Sequence, residues 1–240
     1  MTKRDITLAL VTVVATGAVV GAQQGFMPAS FQSGAVPQLS VLSIEAGGGQ
    51  VLLELTVSPD GSVIESRPLR VTPSFTERIQ SLSSGWRFVP AEAMIDPRDQ
   101  RPGGPLTHPI PSRVLVAGVF RPPTLLGPSI GEAISEVGNP SDEIPYPISV
   151  IQPLYPPNAR DAGVVLVEAR VNAQGAVIGA VVKISSPGFD SSALDAARQW
   201  RFRPARVGGA FVPSLAYIVF GFPMPLTFGV PTGGGTPGND

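Results

Sequence analysis

The sequence contains no cysteine and a single histidine, His108. The missing thiols exclude disulfides, thiolate metal sites and cysteine nucleophiles. The histidine lies in a Pro/Gly-rich stretch, and no Ser-His-Asp set can be assembled from the sequence. There is also no phosphate-binding loop, metal-ligand spacing or cofactor fingerprint. We therefore expect a protein that is not an enzyme and that binds neither a cofactor nor a metal.

Charge is also scarce, because Asp, Glu, Lys and Arg make up only 15% of the chain and leave a net charge of −1. Without a basic stripe, nucleic acid is not expected as a partner. Hydrophobic residues reach 43% of 240 residues, which is enough to build a buried core. Gly and Pro number 27 each, which predicts many turns and unstructured linkers.

The N-terminus joins two basic residues, Lys3 and Arg4, to an apolar run over residues 6–22. A run of 17 residues is at the lower limit for a membrane span. The small residues at its end are also typical of a signal-peptide cleavage site. Residues 1–22 are therefore predicted to be either a cleaved signal peptide or a retained membrane anchor, and both alternatives export the rest of the chain.

An internal repeat is present. Residues 51–91 and 165–205 align without a gap and share 14 of 41 positions, including the ending Trp-Arg-Phe-x-Pro-Ala. Similarity at one fixed offset indicates two copies of one folding unit.

Each copy has the pattern of a strand hairpin, a helix and a third strand. Apolar residues alternate along the first strands, and Gly61 and Gly175 stand where hairpin turns need a positive φ. Small residues at helical spacing predict that the second-copy helix packs closely on a sheet and ends in a large aromatic plug. The residues expected to form the structural core are Trp86, Phe88, Trp200 and Phe202.

Three further expectations concern single positions. Pro68 cannot donate a ladder hydrogen bond, so it predicts an edge or a bulge in the second strand of the first copy. Glu54 and Glu168, which are equivalent in the repeat, are expected to be solvated charges on the sheet face. Asp190 or Ser191 is expected to cap the second-copy helix.

The second copy resembles the C-terminal domain of the TonB family of energy transducers. The resemblance covers about residues 153–223. It rests on the Tyr-Pro pair at 155–156, the hairpin around Gly175, Leu-Asp-Ala-Ala at 194–197 and the Trp-Arg-Phe-x-Pro-Ala ending. The first copy looks like a degenerate version. The resemblance implies an α+β fold of two such units, each with helices on one face of a small three- to four-stranded antiparallel sheet.

The resemblance also implies a function. Such a protein lies in the periplasm and binds an extended segment of an outer-membrane transporter by strand addition at a free sheet edge, linked to energised transmembrane transport. We expect this edge at the last strand, residues 216–222, near the Pro-Leu-Tyr-Pro segment, whose tyrosine could instead simply pack on the sheet. The residues expected to bind the partner are Pro153, Tyr155, Pro156, Ala216, Tyr217, Ile218, Val219 and Phe220.

Two features separate the chain from a transducer proper. The family's membrane helix carries a histidine, which residues 6–22 lack, and the family's Pro-rich spacer is longer than residues 23–49. The alternative is therefore a secreted or periplasmic tandem protein-binding module without energy transduction. The partners open at this point are an outer-membrane transporter or another periplasmic protein, an inner-membrane motor complex, and a second copy of the chain through edge pairing.

The predicted organisation has six parts. They are a signal peptide or anchor at 1–22, a linker at 23–38, the degenerate repeat at 39–122, a linker at 123–148, the TonB C-terminal-like domain at 149–226 and a flexible tail at 227–240.

Overall fold

The computed structural model describes residues 25–39, 48–122, 131–135 and 137–224. Two helices and sixteen strands lie within these ranges. In chain order they are β1 Phe26–Met27, β2 Ser30–Ser33, β3 Gly49–Val57, β4 Val63–Arg70, α1 Phe75–Ser83, β5 Arg87–Val89, β6 Ala91–Met94, β7 Thr107–Ile110, β8 Ser112–Phe120, β9 Gly131–Ala133, β10 Tyr146–Ile151, β11 Gly163–Val171, β12 Val177–Ile184, α2 Asp190–Arg198, β13 Arg201–Arg203, β14 Arg206–Val207, β15 Ala210–Phe211 and β16 Ser214–Phe222.

The described chain is mostly sheet with two short helices, within the α+β or β classes. The predicted signal peptide or anchor at 1–22 and the predicted tail at 227–240 lie outside the described residues. Neither helix in the described ranges is long and apolar enough to cross a membrane.

A six-stranded sheet forms the centre of the molecule, in the order β12-β11-β16-β8-β3-β4. Neighbouring strands are antiparallel except β16 and β8, which run parallel where the two halves of the chain meet. Both halves therefore contribute three strands to one sheet, a point that the sequence left open. The shared sheet ends in β12 on one side and β4 on the other.

The two long hairpins have the same register. β3 pairs with β4 as β11 pairs with β12, and each pairing is interrupted by bulges at the same two places. Gly61 and Gly175 lie in the hairpin turns at φ +82° and +79°. A Cβ there would lie 1.9 Å from the carbonyl oxygen of Phe88 or 1.8 Å from that of Phe202. Only glycine fits this approach, as the sequence pattern predicts.

The two helices lie on opposite faces of the sheet. Val165 shares a face with Phe220 and, across the parallel pair, with Val119. Val119 in turn shares that face with Gln50, so that Val51, the repeat partner of Val165, points to the other side. α2 packs in the cluster that contains Val165, and α1 packs in the cluster that contains Val51. Each half therefore leaves one face of its own strands without a helix.

Short strands cover the faces that carry no helix. β2 pairs with β5, and its Phe31 is buried against the second half of the sheet. β10 pairs with β13 and covers the first half, with Tyr146 fully buried. The two pairings share the same bulge, which extends the likeness between the halves upstream of the aligned repeat.

Two linker predictions are therefore wrong over their described parts. Residues 23–38 contain β1 and β2, with Ala29 and Phe31 buried. Residues 123–148 contain β9 and the start of β10, with Ile134 and Ile144 buried. The Pro- and Gly-rich composition that suggested linkers reflects short strands that lie across a sheet rather than unstructured chain.

The two tryptophans occupy equivalent positions under these short strands. Trp86 donates its indole N–H to the carbonyl of Ala35 at 2.8 Å, and Trp200 donates to the carbonyl of Ile151 at 3.0 Å. Each indole is thus buried with its one polar group satisfied. The buried set includes all four expected core aromatics and the small-residue stripe of α2: Trp86, Phe88, Trp200, Phe202, Ala193, Ala196 and Ala197.

The second helix that the resemblance implied for this half is absent, since residues 152–162 are irregular. Pro153, Pro156 and Pro157 supply no amide hydrogen there, which disfavours a helix. The capping expectation is also wrong. Asp190 is the first residue of α2, and its carboxylate accepts a hydrogen bond at 2.9 Å from the N–H of Ser186, which lies before the helix.

Candidate peptide-binding edge

The last strand, β16, is not a free edge, so the predicted position of the binding edge is wrong. β16 pairs with β11 on one side and with β8 on the other. The five expected binding residues in it are fully buried: Ala216, Tyr217, Ile218, Val219 and Phe220. A signal for this was present, because an unbroken apolar run is typical of a central strand that is buried on both faces.

Tyr217 has a structural position instead. Its hydroxyl accepts a hydrogen bond at 2.8 Å from the N–H of Phe31 and lies 3.1 Å from both the carbonyl oxygen of Ala29 and the carboxylate of Glu168. Burial, and then the neighbouring Glu168 charge, raise the pKa of Tyr217 well above its ordinary value. The neutral phenol therefore ties the β2 segment to the second half of the sheet.

The Pro-Leu-Tyr-Pro segment lies beside the start of α2. Tyr155 packs edge-to-face on Phe189, with ring centroids 5.7 Å apart, and its hydroxyl donates to the carbonyl of Asp161 at 2.7 Å. The buried Pro153 accepts a hydrogen bond at 2.7 Å from Arg121. Pro156 borders an open cleft of about 740 Å³. Of the two alternatives for Tyr155, partner binding or packing within the domain, these contacts correspond to packing. The structure does not bring the segment together with β16 at one site.

The edge strand β4 is obstructed. Gln80 donates its side-chain N–H to the carbonyl of Ser66 at 2.8 Å, which occupies an outward-facing acceptor. Two residues further on, Pro68 offers no N–H at the same edge. Arg67 also bonds the carbonyls of Gly138 and Asn139, at 2.8 and 3.2 Å. The prediction that Pro68 marks an edge or a bulge is confirmed, because β4 is the outermost strand and its bulge lies next to Pro68.

The opposite edge strand, β12, has none of these obstructions. Because its register repeats that of β4, Ala180 stands where Ser66 does and Val182 where Pro68 does. The main-chain N–H and C=O groups of Ala180 therefore face outward, as those of Ser66 do. The same holds two residues further on for Val182, which has an N–H where Pro68 has none. No other strand in the described ranges pairs with this side of β12. An unpaired strand edge with both donors and acceptors can accept a further strand.

The surface next to this edge combines apolar and basic groups. Ile178 and Val181 are 60% and 51% exposed. Lys183 lies 3.6 Å from the carboxylate of Glu168. Arg170, on the neighbouring strand β11, is exposed and lies opposite Gly179. Sequence reasoning missed these residues because it placed the edge at the other end of the unit.

The equivalent position in the first half holds a buried ion-pair network, so the expectation of a solvated Glu54 is wrong. Glu54 is 1% exposed. Its carboxylate accepts from Arg67 at 2.7 Å, from Arg113 at 2.5 Å and from the N–H of Ser141 at 3.0 Å. The hydrogen bond to Glu54 raises the pKa of Arg113. The network fastens the segment before β10 onto the sheet. Glu168 is only partly exposed too, as its contacts with Tyr217 and Lys183 show.

Over the described ranges, no group of three or more His, Asp or Glu side chains is arranged to hold a metal ion. The central sheet has one obstructed and one open strand edge. An open strand edge can take up an extended peptide as an additional strand.

One family comparison bears on this domain. Residues 151–222 match the family model described as Gram-negative bacterial TonB protein C-terminal. The match begins at the end of β10 and closes with the last residue of β16, so it covers the half that contains the open edge. This half is thus similar to TonB C-terminal domains, as the sequence resemblance indicates. No curated protein matches the chain.

Proposed function

We propose that this chain is a periplasmic TonB-like protein that binds an extended segment of an outer-membrane transporter by strand addition and takes part in energised transport. The observation that carries the proposal is the match to TonB C-terminal domains over residues 151–222, the half whose outer strand is open. A peptide laid along that strand would gain main-chain hydrogen bonds for affinity and side-chain contacts for specificity.

The binding edge in this proposal is β12. The outer side of β16 is taken by β8 of the same chain, so an incoming strand would have to break an existing parallel pairing there. β12 needs no such exchange, and its outward groups at Ala180 and Val182 lack the blocks that Gln80 and Pro68 form on β4.

The first half, in this proposal, is a degenerate copy of the TonB-like unit whose present task is structural. The common register of the two hairpins and the equivalent tryptophan hydrogen bonds support a common origin. Its strand β8 is the permanent neighbour of β16. Pairing within the chain protects an apolar strand that would otherwise be exposed at an edge.

The second candidate is a periplasmic tandem binding module without energy transduction. It is favoured by the run at 6–22, which lacks the histidine of the family's membrane helix, and by the position of β1 and β2 directly after that run, where a transducer has its long spacer. Both candidates are binding proteins rather than enzymes, and neither uses a cofactor or nucleic acid. Two observations distinguish the candidates. In the transducer, residues 1–22 stay attached in the envelope, and peptide release depends on the proton gradient through an inner-membrane motor complex.

The test of the proposed edge is a pair of substitutions at one position. Val182→Pro removes the outward N–H, and Pro68 shows that the equivalent position of the same fold accepts proline. Val182→Ala is the matched control, because it shortens the same side chain and keeps the N–H. The probes are labelled eight-residue peptides, the length of β12, from the periplasmic segments of outer-membrane transporters.

We expect Val182→Ala to bind these peptides like the unchanged protein and Val182→Pro to lose binding while its melting temperature stays close to that of Val182→Ala. Equal binding by both variants would place the peptide elsewhere and contradict strand addition at β12. Size measurement in the same series would reveal a homodimer formed through β12 in place of peptide binding.

A further inference from the structure

Arg170 lies over a glycine of the edge strand β12. It pairs in register with Gly179 of β12. A Cβ placed on Gly179 would lie 3.8 Å from Nε and 3.9 Å from Cζ of Arg170. Because Gly179 has no side chain, the guanidinium of Arg170 lies over the backbone of the edge strand β12 with no β12 side chain at that register position.

The charge on Arg170 has no partner carboxylate in the part of the chain that the structure describes, whereas Lys183 has Glu168 at 3.6 Å. Val181 lies two residues from Gly179 on the same face and is 51% exposed. The open edge therefore offers one cation and, next to it, one apolar side chain.

The obstructed edge carries the opposite charge at the equivalent place. Thr56 and Glu65 replace Arg170 and Gly179, and the threonine hydroxyl donates to the Glu65 carboxylate at 3.2 Å. The basic character is thus a property of the β12 edge and not of the hairpin shape common to both halves.

We propose that the β12 edge selects an extended peptide with an acidic residue facing Gly179 and an apolar residue two positions away facing Val181. The acidic side chain pairs with Arg170, and the apolar one packs on Val181. A parallel peptide reads acidic-x-apolar, and an antiparallel one reads apolar-x-acidic. The inference rests on strand addition at β12 and adds the side-chain class that the site prefers.

A second copy of this chain fits the edge less well than such a peptide. β12 has the sequence VIGAVVKI, which contains no aspartate or glutamate. Pairing of two β12 strands would therefore bring no carboxylate to either Arg170, and it would add a second lysine to a basic edge. An acidic peptide supplies the missing charge.

The experiment compares eight-residue peptides that differ only in Glu, Gln or Lys at the position facing Gly179. Exposed ion pairs contribute modestly, so we expect the Glu peptide to bind about two- to fivefold more tightly than the Gln peptide at low salt. Added salt should shrink the difference. Arg170→Gln should abolish the Glu preference without preventing binding, and Arg170→Glu should shift the preference to the Lys peptide.

A second variant tests whether the missing side chain at Gly179 is needed. Gly179→Val adds a branched side chain beside the guanidinium, whose Nε and Cζ lie 3.8 and 3.9 Å from the position of the new Cβ. We expect this side chain to separate Arg170 from the peptide, so that Arg170 loses its effect although its charge remains. Retained Glu preference in Gly179→Val, or in Arg170→Gln, would overturn the assignment.

The Val182→Pro protein separates failure of this inference from failure of the proposed function. If all peptides bind equally and Val182→Pro abolishes binding, strand addition stands and the acidic preference is wrong. If no peptide binds, or if Val182→Pro binds as the unchanged protein does, both are wrong.

Discussion

The N–H of Phe31 donates a 2.8 Å hydrogen bond to the hydroxyl of Tyr217, joining residues that lie 186 positions apart in the chain. Phe31 belongs to the N-terminal strand β2, and Tyr217 belongs to the central strand β16. The bond lies in a cluster with Trp86 and Phe88, whose rings also contact Tyr217. The N-terminal segment is therefore part of the core and connects the two halves.

Removing this hydroxyl should destabilise the protein. Tyr217→Phe leaves the buried N–H of Phe31 without its acceptor, which costs about 1–3 kcal/mol in the free energy of unfolding. Tyr155→Phe is the matched control, because its hydroxyl makes one exposed bond to Asp161 and its loss should cost under about 1 kcal/mol. Urea denaturation measures both. Equal effects would show that Tyr217 does not hold the segment.

The same residue predicts a response to alkaline pH. Burial raises the pKa of Tyr217 above the value of about 10 that it has in an unfolded chain. A raised folded pKa means that the stabilisation is complete below about pH 10 and is lost as the pH rises beyond it. The melting temperature should therefore fall more steeply with increasing pH in the unchanged protein than in Tyr217→Phe. Parallel curves would refute a buried neutral phenol.

The buried carboxylate of Glu54 predicts a large effect of one substitution. Glu54→Gln leaves Arg67 and Arg113 without their shared anion, which should cost about 3–5 kcal/mol in unfolding free energy. Glu168→Gln, at the equivalent position, should cost less, because Glu168 is more exposed and its cation Lys183 lies further away, at 3.6 Å. Chemical denaturation ranks the two, and a larger effect at Glu168 would contradict the burial of the network.

The shared sheet predicts that the two halves unfold together. Trp200→Ala and Trp86→Ala each create a core cavity and should each cost about 3–5 kcal/mol. Since β16 and β8 are central partners, either substitution should lower one common transition of the whole chain. Calorimetry would show two separate transitions, only one of them shifted, if the halves were independent domains.

The local plan of each half could be predicted from the sequence. Period-two alternation indicated β3 and β11, the glycines indicated their turns, and the alanine stripe indicated α2. These features depend on contacts between residues close in the chain, where pattern and geometry are directly linked. Pro68 also marked its own edge, because a missing N–H has the same consequence wherever the strand lies.

The arrangement of the halves could not be predicted in the same way. Pairing of β16 with β8 is a contact between distant segments, and no spacing in the sequence specifies its partner or its parallel direction. Phe31 and Tyr146 lay in stretches whose proline and glycine content suggested linkers, although they cover the sheet. The binding edge was wrongly predicted at β16 for the same reason, because a strand can be recognised as an edge only when all its neighbours are known.

Cysteine trapping tests most directly whether β12 is the open edge, because the chain has no cysteine of its own. Ile178→Cys on β12 and Ile64→Cys on β4 occupy equivalent positions and are similarly exposed, at 60% and 65%. Each variant is incubated with a transporter-segment peptide that carries one cysteine, under mild oxidation. We expect a disulfide-linked peptide on Ile178→Cys and little on Ile64→Cys. Equal trapping, or trapping on Ile64→Cys alone, would contradict an open edge at β12.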